Sequence, residues 1–516
     1  MTRLPLFVLS LALTVLLGAG CSTNPVTGEQ ELALVSTEQE LALGARNYAP
    51  YRQAEGGDYV LEPALTAYVQ EVGQRLARVS DRKLPYEFSI VNDSSPNAWA
   101  LPGGKIAINR GLLVELRSEA ELAAVLGHEI VHAAARHTAQ DMQRGWVMQG
   151  ALIAAGIALG DSGYRDLAMT GAQLGSQLVH QSYGRDAERE ADYYGMRYMA
   201  RAGYDPAAAV ELQRTFVRLA EGKEPNWLAG LFASHPPSQE RVDNNIETAR
   251  ALKTDGEIGR ERYQRMIARL QRSKPAYEAY DQARKALKAG DRARARELVD
   301  QAIRIEPAES LFYGLRGDLH AEQRERRQAL ADYDRAVQRN PEYFKHYLTR
   351  GFVRRQLGDS TGASSDFKRS LALLPTAEAQ YGLGRLALDA GDRDQATALL
   401  RKAAASDSTF GKAAARDLAR LELPQHPDRY IKVALGLDRD GYLNVVVQNQ
   451  SGLAVRDVAV VVGRRTAAGV RRDASYRLDR VLQAGERRTL RSQLGPMDVN
   501  TARSFGAAVV GARLVE

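Results

Sequence analysis

Disulfides can brace no part of this chain, because Cys21 is its only cysteine. Long apolar runs are missing as well. The run from Leu4 to Leu17 falls short of the ~20 residues a membrane-spanning helix needs, and the apolar stretch 151–159 is shorter still and contains Gly156. Nor does charge of one sign collect in a block. The net charge of +7 is dispersed along the chain, which argues against nucleic-acid binding. What is present is an ordinary globular composition, 44% apolar and 26% charged, in 516 residues. That length exceeds what one core can serve, so about two to four domains are expected.

The N-terminus reads as an address. Arg3 precedes the apolar run, and Gly18-Ala19-Gly20-Cys21 follows it. A basic start, a short apolar stretch and small residues before a cysteine form a lipoprotein-type signal peptide over residues 1–20. A lone thiol in an exported chain would be open to oxidation, whereas lipidation of Cys21 accounts for both its presence and its solitude. Ser22 follows rather than Asp. By resemblance to bacterial lipoproteins this implies sorting to the outer membrane, facing the periplasm. Residues 21–36 then read as a tether, and Ser36-Thr37-Glu38-Gln39 as a capped helix start.

The chemistry centres on His128-Glu129-Ile130-Val131-His132, inside a helix-forming run expected from Ser118 to about Gln143. Residues four apart on a helix point about 40° apart, so His128 and His132 present two imidazoles to one point. Glu129 lies beside that point, where a carboxylate can take a proton from an activated water. Polar groups set among Leu122, Val125, Leu126, Ile130 and Val131 would be costly without a partner. A chemically active zinc site needs a third protein ligand and one open position. The candidate is Glu188 in Arg185-Asp186-Ala187-Glu188-Arg189-Glu190-Ala191-Asp192. Asp192, four residues on, shares its face and can accept the second ring N–H of one zinc histidine; Glu190 points elsewhere.

These segments, with Asn97-Ala98-Trp99-Ala100-Leu101-Pro102-Gly103-Gly104 and Ser234-His235-Pro236-Pro237, occur in the order that characterises metallopeptidase family 48. The chain resembles the periplasmic branch of that family over roughly residues 25 to 270. The resemblance implies one zinc ion per chain held by His128, His132 and Glu188. It further implies Glu129 as general base, Asp192 as a supporting or proton-donating acid, and His235 as a regulatory ligand able to occupy the open position. It also suggests that the strand Lys105-Ile106-Ala107-Ile108-Asn109 is an exposed edge on which a peptide substrate adds as an extra strand. His137 falls on the opposite helical face and reads as a structural hydrogen-bonder. Arg241 reads as a salt-bridge former. The Gly- and Ala-rich segment 146–178 is either a helical hairpin over the cleft or plain packing.

Beyond residue 272 the pattern changes. Pro307, Pro341 and Pro375 recur every 34 residues, as do Tyr313, Tyr347 and Tyr381. The period resembles tetratricopeptide repeats, whose concave surface takes a protein partner. After residue 427 the period becomes two, with strands expected over 430–437, 443–448, 455–462, 475–482 and 487–492. The expected fold is therefore multidomain: a mainly helical α+β zincin peptidase domain (37–272), an α-solenoid of tetratricopeptide-like repeats (273–421) and a small C-terminal β-sandwich (428–516). The expected function is a lipid-anchored periplasmic zinc metalloendopeptidase acting on misfolded or stalled envelope proteins. Its expected partners are protein substrates, an envelope protein at the repeats and the outer membrane through Cys21, with no nucleic acid. The rival is a non-proteolytic assembly chaperone working through the repeats.

Overall fold

The computed structural model describes residues 21–144, 183–222, 235–253, 255–467 and 469–515. The expected signal peptide and the segment 146–178 lie outside the described residues. Two compact units divide the chain, Met1–Tyr343 and Phe344–Glu516.

In the first unit, β1 (Cys21–Thr23) and β2 (Gln30–Leu32) form a hairpin, followed by α1 (Thr37–Ala54) and α2 (Pro63–Ala77). Ser36 caps α1 in a full capping box with Gln39. A three-stranded sheet comes next, made of β3 (Glu87–Val91), β4 (Ala98–Leu101) and β5 (Lys105–Asn109). Its order is β3-β5-β4, with β5 parallel to β3 and antiparallel to β4. This corrects the expectation for Lys105, Ile106, Ala107, Ile108 and Asn109. That strand has a neighbour on both sides and cannot accept another, so a sheet edge falls to Ala98–Leu101 instead.

The short α3 (Arg110–Leu113) leads to α4 (Glu119–Ala134), capped by Ser118 and buried almost throughout. The expected run to Gln143 is interrupted. Arg136 takes the left-handed conformation (φ 65°), and helix resumes over 137–144. Long-range bonds fix this break: the buried Arg136 guanidinium reaches Glu40, Glu31, Ser22 and the Val35 carbonyl. Residues 21–36 are accordingly docked against the end of α4 rather than hanging as a free tether. The unit continues with α5 (Arg185–Arg201), α6 (Ala207–Gly222), α7 (Gln239–Leu252) and α8 (Arg260–Met266).

The helical pairs α9 (Ala268–Lys288)/α10 (Arg292–Ile305) and α11 (Ser310–Glu322)/α12 (Arg326–Arg339) belong to this same unit. They are keyed to the sheet through buried polar groups. Glu309 accepts from Asn92 (3.1 Å) and from the Tyr277 hydroxyl (2.6 Å), while Arg110 lies 3.3 Å above the Tyr277 ring. Compactness therefore divides the chain inside the repeats, and not at the change of sequence pattern near 272.

The second unit holds α13 (Phe344–Gln356)/α14 (Ser360–Leu373), α15 (Ala377–Asp389)/α16 (Arg393–Ala404) and α17 (Thr409–Glu422). The short helix α18 (Pro427–Tyr430) precedes the strands β6 (Ile431–Leu437), β7 (Leu443–Asn449), β8 (Val455–Thr466), β9 (Gly469–Val470), β10 (Ala474–Leu478) and β11 (Arg487–Arg491). The last elements are α19 (Val499–Arg503) and β12 (Phe505–Leu514). The sheets β11-β7-β6 and β10-β8-β12 enclose a core that includes Val445, Val447, Val458, Val460 and Phe505. This is the expected small β-sandwich, with β12 as a strand the alternation did not reveal.

Candidate metal centre

Two helices build the site, α4, which is buried almost throughout, and the buried face of α5, which carries Glu188, Ala191 and Gly195. Where α4 crosses α5, Gly127 faces Gly195. A Cβ on Gly195 would stand 3.0 Å from the His128 nitrogen, so any side chain there would push the two helices apart by a few tenths of an ångström. That approach sets Glu188 and Asp192, on the turns of α5 preceding Gly195, against His128 and His132.

The imidazoles converge as the four-residue spacing requires. His128 Nε2 lies 3.0 Å from His132 Nε2, 3.5 Å from Glu188 Oε2 and 3.2 Å from His235 Nδ1. His132 Nε2 lies 3.3 Å from Glu188 Oε1, and His235 Nδ1 lies 2.8 Å from that same oxygen. All four residues are held within 4.8 Å of one another through one donor atom each. Ligands of a tetrahedral zinc with ~2.1 Å bonds stand ~3.4 Å apart. The donor types and their separations thus fit a divalent ion.

The surrounding groups orient these donors. Asp192 Oδ1 accepts from His128 Nδ1 at 3.0 Å, as the spacing on α5 predicts. Arg241, near the start of α7, forks onto Asp192 at 2.7 Å to each oxygen and reaches Glu188 Oε2 at 2.8 Å. The ring of Tyr183 stacks on His132 at 3.8 Å, and its hydroxyl meets Thr138 at 3.0 Å. Tyr183 was not singled out by sequence reasoning, since an aromatic before a helix start carries no metal-site signal. Glu129 is buried beside the cluster. Its Oε1 lies 3.6 Å from His235 Nε2, and its Oε2 has no hydrogen-bond partner among the described residues.

Electrostatics follow the crowding. Burial disfavours the charged imidazole of His128, but Glu188 and Asp192 outweigh it and hold that group up to about 10. Burial dominates at His132, which is pushed well below the usual histidine value, and at Glu129, which is pushed up. For Glu188, burial is overcome by His235 and His128, leaving its carboxyl well below the usual range. By contrast, Lys105 pairs with Glu87 at 2.7 Å on the inner strand, outside this cluster.

A buried His-His-Glu cluster with a neighbouring carboxylate, on a mainly helical domain followed by helical repeats, defines a metallopeptidase-type domain joined to a repeat array. Residues 63–248 match Peptidase family M48, and 280–344, 315–378 and 348–409 match the tetratricopeptide repeat. The chain thus carries an M48 peptidase domain with C-terminal tetratricopeptide repeats. It is 32% identical over 235 residues to the putative beta-barrel assembly-enhancing protease of Vibrio cholerae, covering 44% of this chain and 47% of that one. To the beta-barrel assembly-enhancing protease of Yersinia pestis it is 28% identical over 263 residues, 47% of this chain and 52% of that. To the mitochondrial metalloendopeptidase OMA1 of Schizosaccharomyces pombe it is 34% identical over 226 residues, 42% of this chain and 63% of that. The matched region spans about half the length of the first two of these relatives.

Proposed function

We propose that this chain is a lipid-anchored periplasmic zinc metalloendopeptidase that hydrolyses peptide bonds in misfolded or stalled envelope proteins. The observation carrying the reading is the convergence of His128, His132 and Glu188 from two helices, with one Glu129 oxygen beside them lacking a hydrogen-bond partner among the described residues. These three residues would hold one zinc ion. When bound there, the ion would polarise a scissile carbonyl and bring the pKa of a water towards roughly 7.

The protein groups supply the rest. Glu129, whose burial raises its affinity for a proton, accepts one from the attacking water and delivers it to the leaving amine. Asp192 keeps the Nδ1 proton on His128 and so leaves Nε2 free to ligate. Residues Trp99 and Leu101 bond inward to β5, so the N–H and C=O groups of Ala98 and Ala100 point to the opposite side of β4. No strand pairs there among the described residues. A substrate added on that side would run past Ala98, which lines the cavity next to His128 and Glu129; because Ala98 and Ala100 are only 1% and 5% exposed, docking there requires the groups packed over this edge to move aside. His235 supplies the fourth donor and must withdraw to admit a carbonyl oxygen. The repeats select the protein partner.

The anchoring and periplasmic address rest on the residues before and at Cys21; no helix among the described residues is long and apolar enough to cross a membrane. The names of the bacterial relatives motivate the substrate class. Glu129→Gln tests the reading. It should retain zinc by elemental analysis while casein cleavage falls by about 100-fold or more. His235→Ala should keep zinc and cleave faster than wild type. Undiminished cleavage by Glu129→Gln would overturn the proposed chemistry.

A further inference from the structure

Behind His132 stand two groups that the proposed reaction does not use. His132 Nδ1 lies 2.8 Å from His137 Nδ1, and His137 Nε2 lies 3.2 Å from Glu190 Oε2. The side chains of His132 and His137 are buried, and that of Glu190 is one-third exposed. The line runs from the metal centre through two rings to a carboxylate at the surface.

A regular helix could not make this arrangement. Residue 137 would fall about 140° round the axis from residue 132. The left-handed Arg136 ends the helix and swings His137 back, so that the two rings meet edge to face with centroids 4.9 Å apart. A non-glycine residue adopts that conformation only when its surroundings enforce it. Here the enforcement comes from Arg136's bonds to Glu40, Glu31, Ser22 and the Val35 carbonyl.

Proton bookkeeping then has one solution. If neutral His132 ligates through Nε2, its Nδ1 carries the proton and donates to His137 Nδ1. His137 must then carry its own proton on Nε2 and donate it to Glu190. We propose that His137 and Glu190 are positioning residues that fix the ring orientation and tautomer of the ligand His132, as Asp192 does directly for His128. The proposal rests on the metallopeptidase reading above and adds to it a second set of orienting groups.

The test is zinc affinity, measured on the full chain by competition with a chromophoric chelator, with the visible spectrum of the cobalt-substituted protein as a second readout. His137→Leu removes the acceptor and should weaken zinc binding by about 10–100-fold and shift the cobalt bands. His137→Gln retains an acceptor oxygen and should recover much of that loss. Circular dichroism of the metal-free variants checks that the fold persists. Should His137→Leu fail to fold, Glu190→Gln, at a partly exposed position, takes its place and should weaken zinc binding in the same direction by a smaller factor. Wild-type affinity and spectrum in these variants would overturn the proposal, as would a glutamine variant no better than leucine. A wild-type chain that binds no zinc would overturn the metallopeptidase reading itself, and the positioning role with it.

Discussion

Arg241 grips Asp192 at two points, with Nε 2.7 Å from Oδ2 and Nη2 2.7 Å from Oδ1, both side chains being less than one-tenth exposed. Asp192 in turn holds His128, so α7 braces the metal centre through a buried ion pair. Arg241→Ala would strand the carboxylate and cost about 3–5 kcal/mol. Arg241→Lys loses the fork and should recover only part. Burial alone would raise the pKa of Asp192, but Arg241 outweighs it and holds the group below the usual range. This stabilisation is therefore present above the ordinary carboxylate pKa and is lost as pH falls through the depressed value. Thermal melts of the metal-free protein across acid pH should show wild type losing stability there, and Arg241→Ala losing less.

The edge of β4 offers a second test. Ala100 turns its N–H away from β5, so proline at 100 removes a donor from the proposed peptide-docking side while sparing the β4–β5 bonds. Ala100→Pro should retain zinc and lower kcat/KM for an unstructured peptide by about tenfold, the equivalent of one hydrogen bond. Proline at Ala107, by contrast, would break a bond within the sheet and should show as a lower melting temperature. An Ala100→Pro enzyme of undiminished kcat/KM would show that substrate backbone does not pair at this edge.

Much of the site was legible because its signals are local. The spacing of His128 and His132, and of Glu188 and Asp192, is a property of one helix each, and the 34-residue period of the prolines likewise repeats a local unit. What escaped depends on distant partners. Lys105–Asn109 reads as a strand, yet whether it lies at the edge or in the middle is decided by Glu87–Val91 and Ala98–Leu101. The latter is four residues long and wholly buried, so it shows no alternation. The run Ala133-Ala134-Ala135-Arg136-His137 reads as helix, and only carboxylates about 100 residues earlier break it. Strand β12, rich in glycine and alanine, has irregular register around Gly511, which erases a period of two.

Those same carboxylates yield a third expectation. Glu40 is almost fully buried between Arg136 and Arg82, and Glu31 is a less buried second partner of Arg136. Glu40→Ala should destabilise the first unit by about 3 kcal/mol or more, since it strands buried guanidinium charge. Glu31→Ala should cost roughly 1 kcal/mol. Limited proteolysis reads the consequence directly: residues 21–36 should resist cleavage in wild type and become susceptible in Glu40→Ala. Equal susceptibility in wild type would mean that this segment is a free tether after all.

His346 in α13 gives a prediction for the second unit. It is 2% exposed, and burial, helped by the charges of Lys345 and Arg350, lowers its pKa to about 3. A histidine whose folded pKa lies below its unfolded value of about 6.5 binds a proton more readily when the chain unfolds. Between pH 6.5 and the folded value, stability therefore falls as the pH falls. At pH 5 the loss from this group alone should be about 2 kcal/mol relative to pH 7.5, and it should level off only below the folded pKa. Replacement by glutamine removes the titration while keeping a polar side chain of similar size. Whatever its effect at neutral pH, the difference in unfolding free energy between pH 7.5 and pH 5, from urea titrations of the second unit's transition, should shrink by about that amount. An unchanged pH difference would mean that His346 does not carry this acid sensitivity.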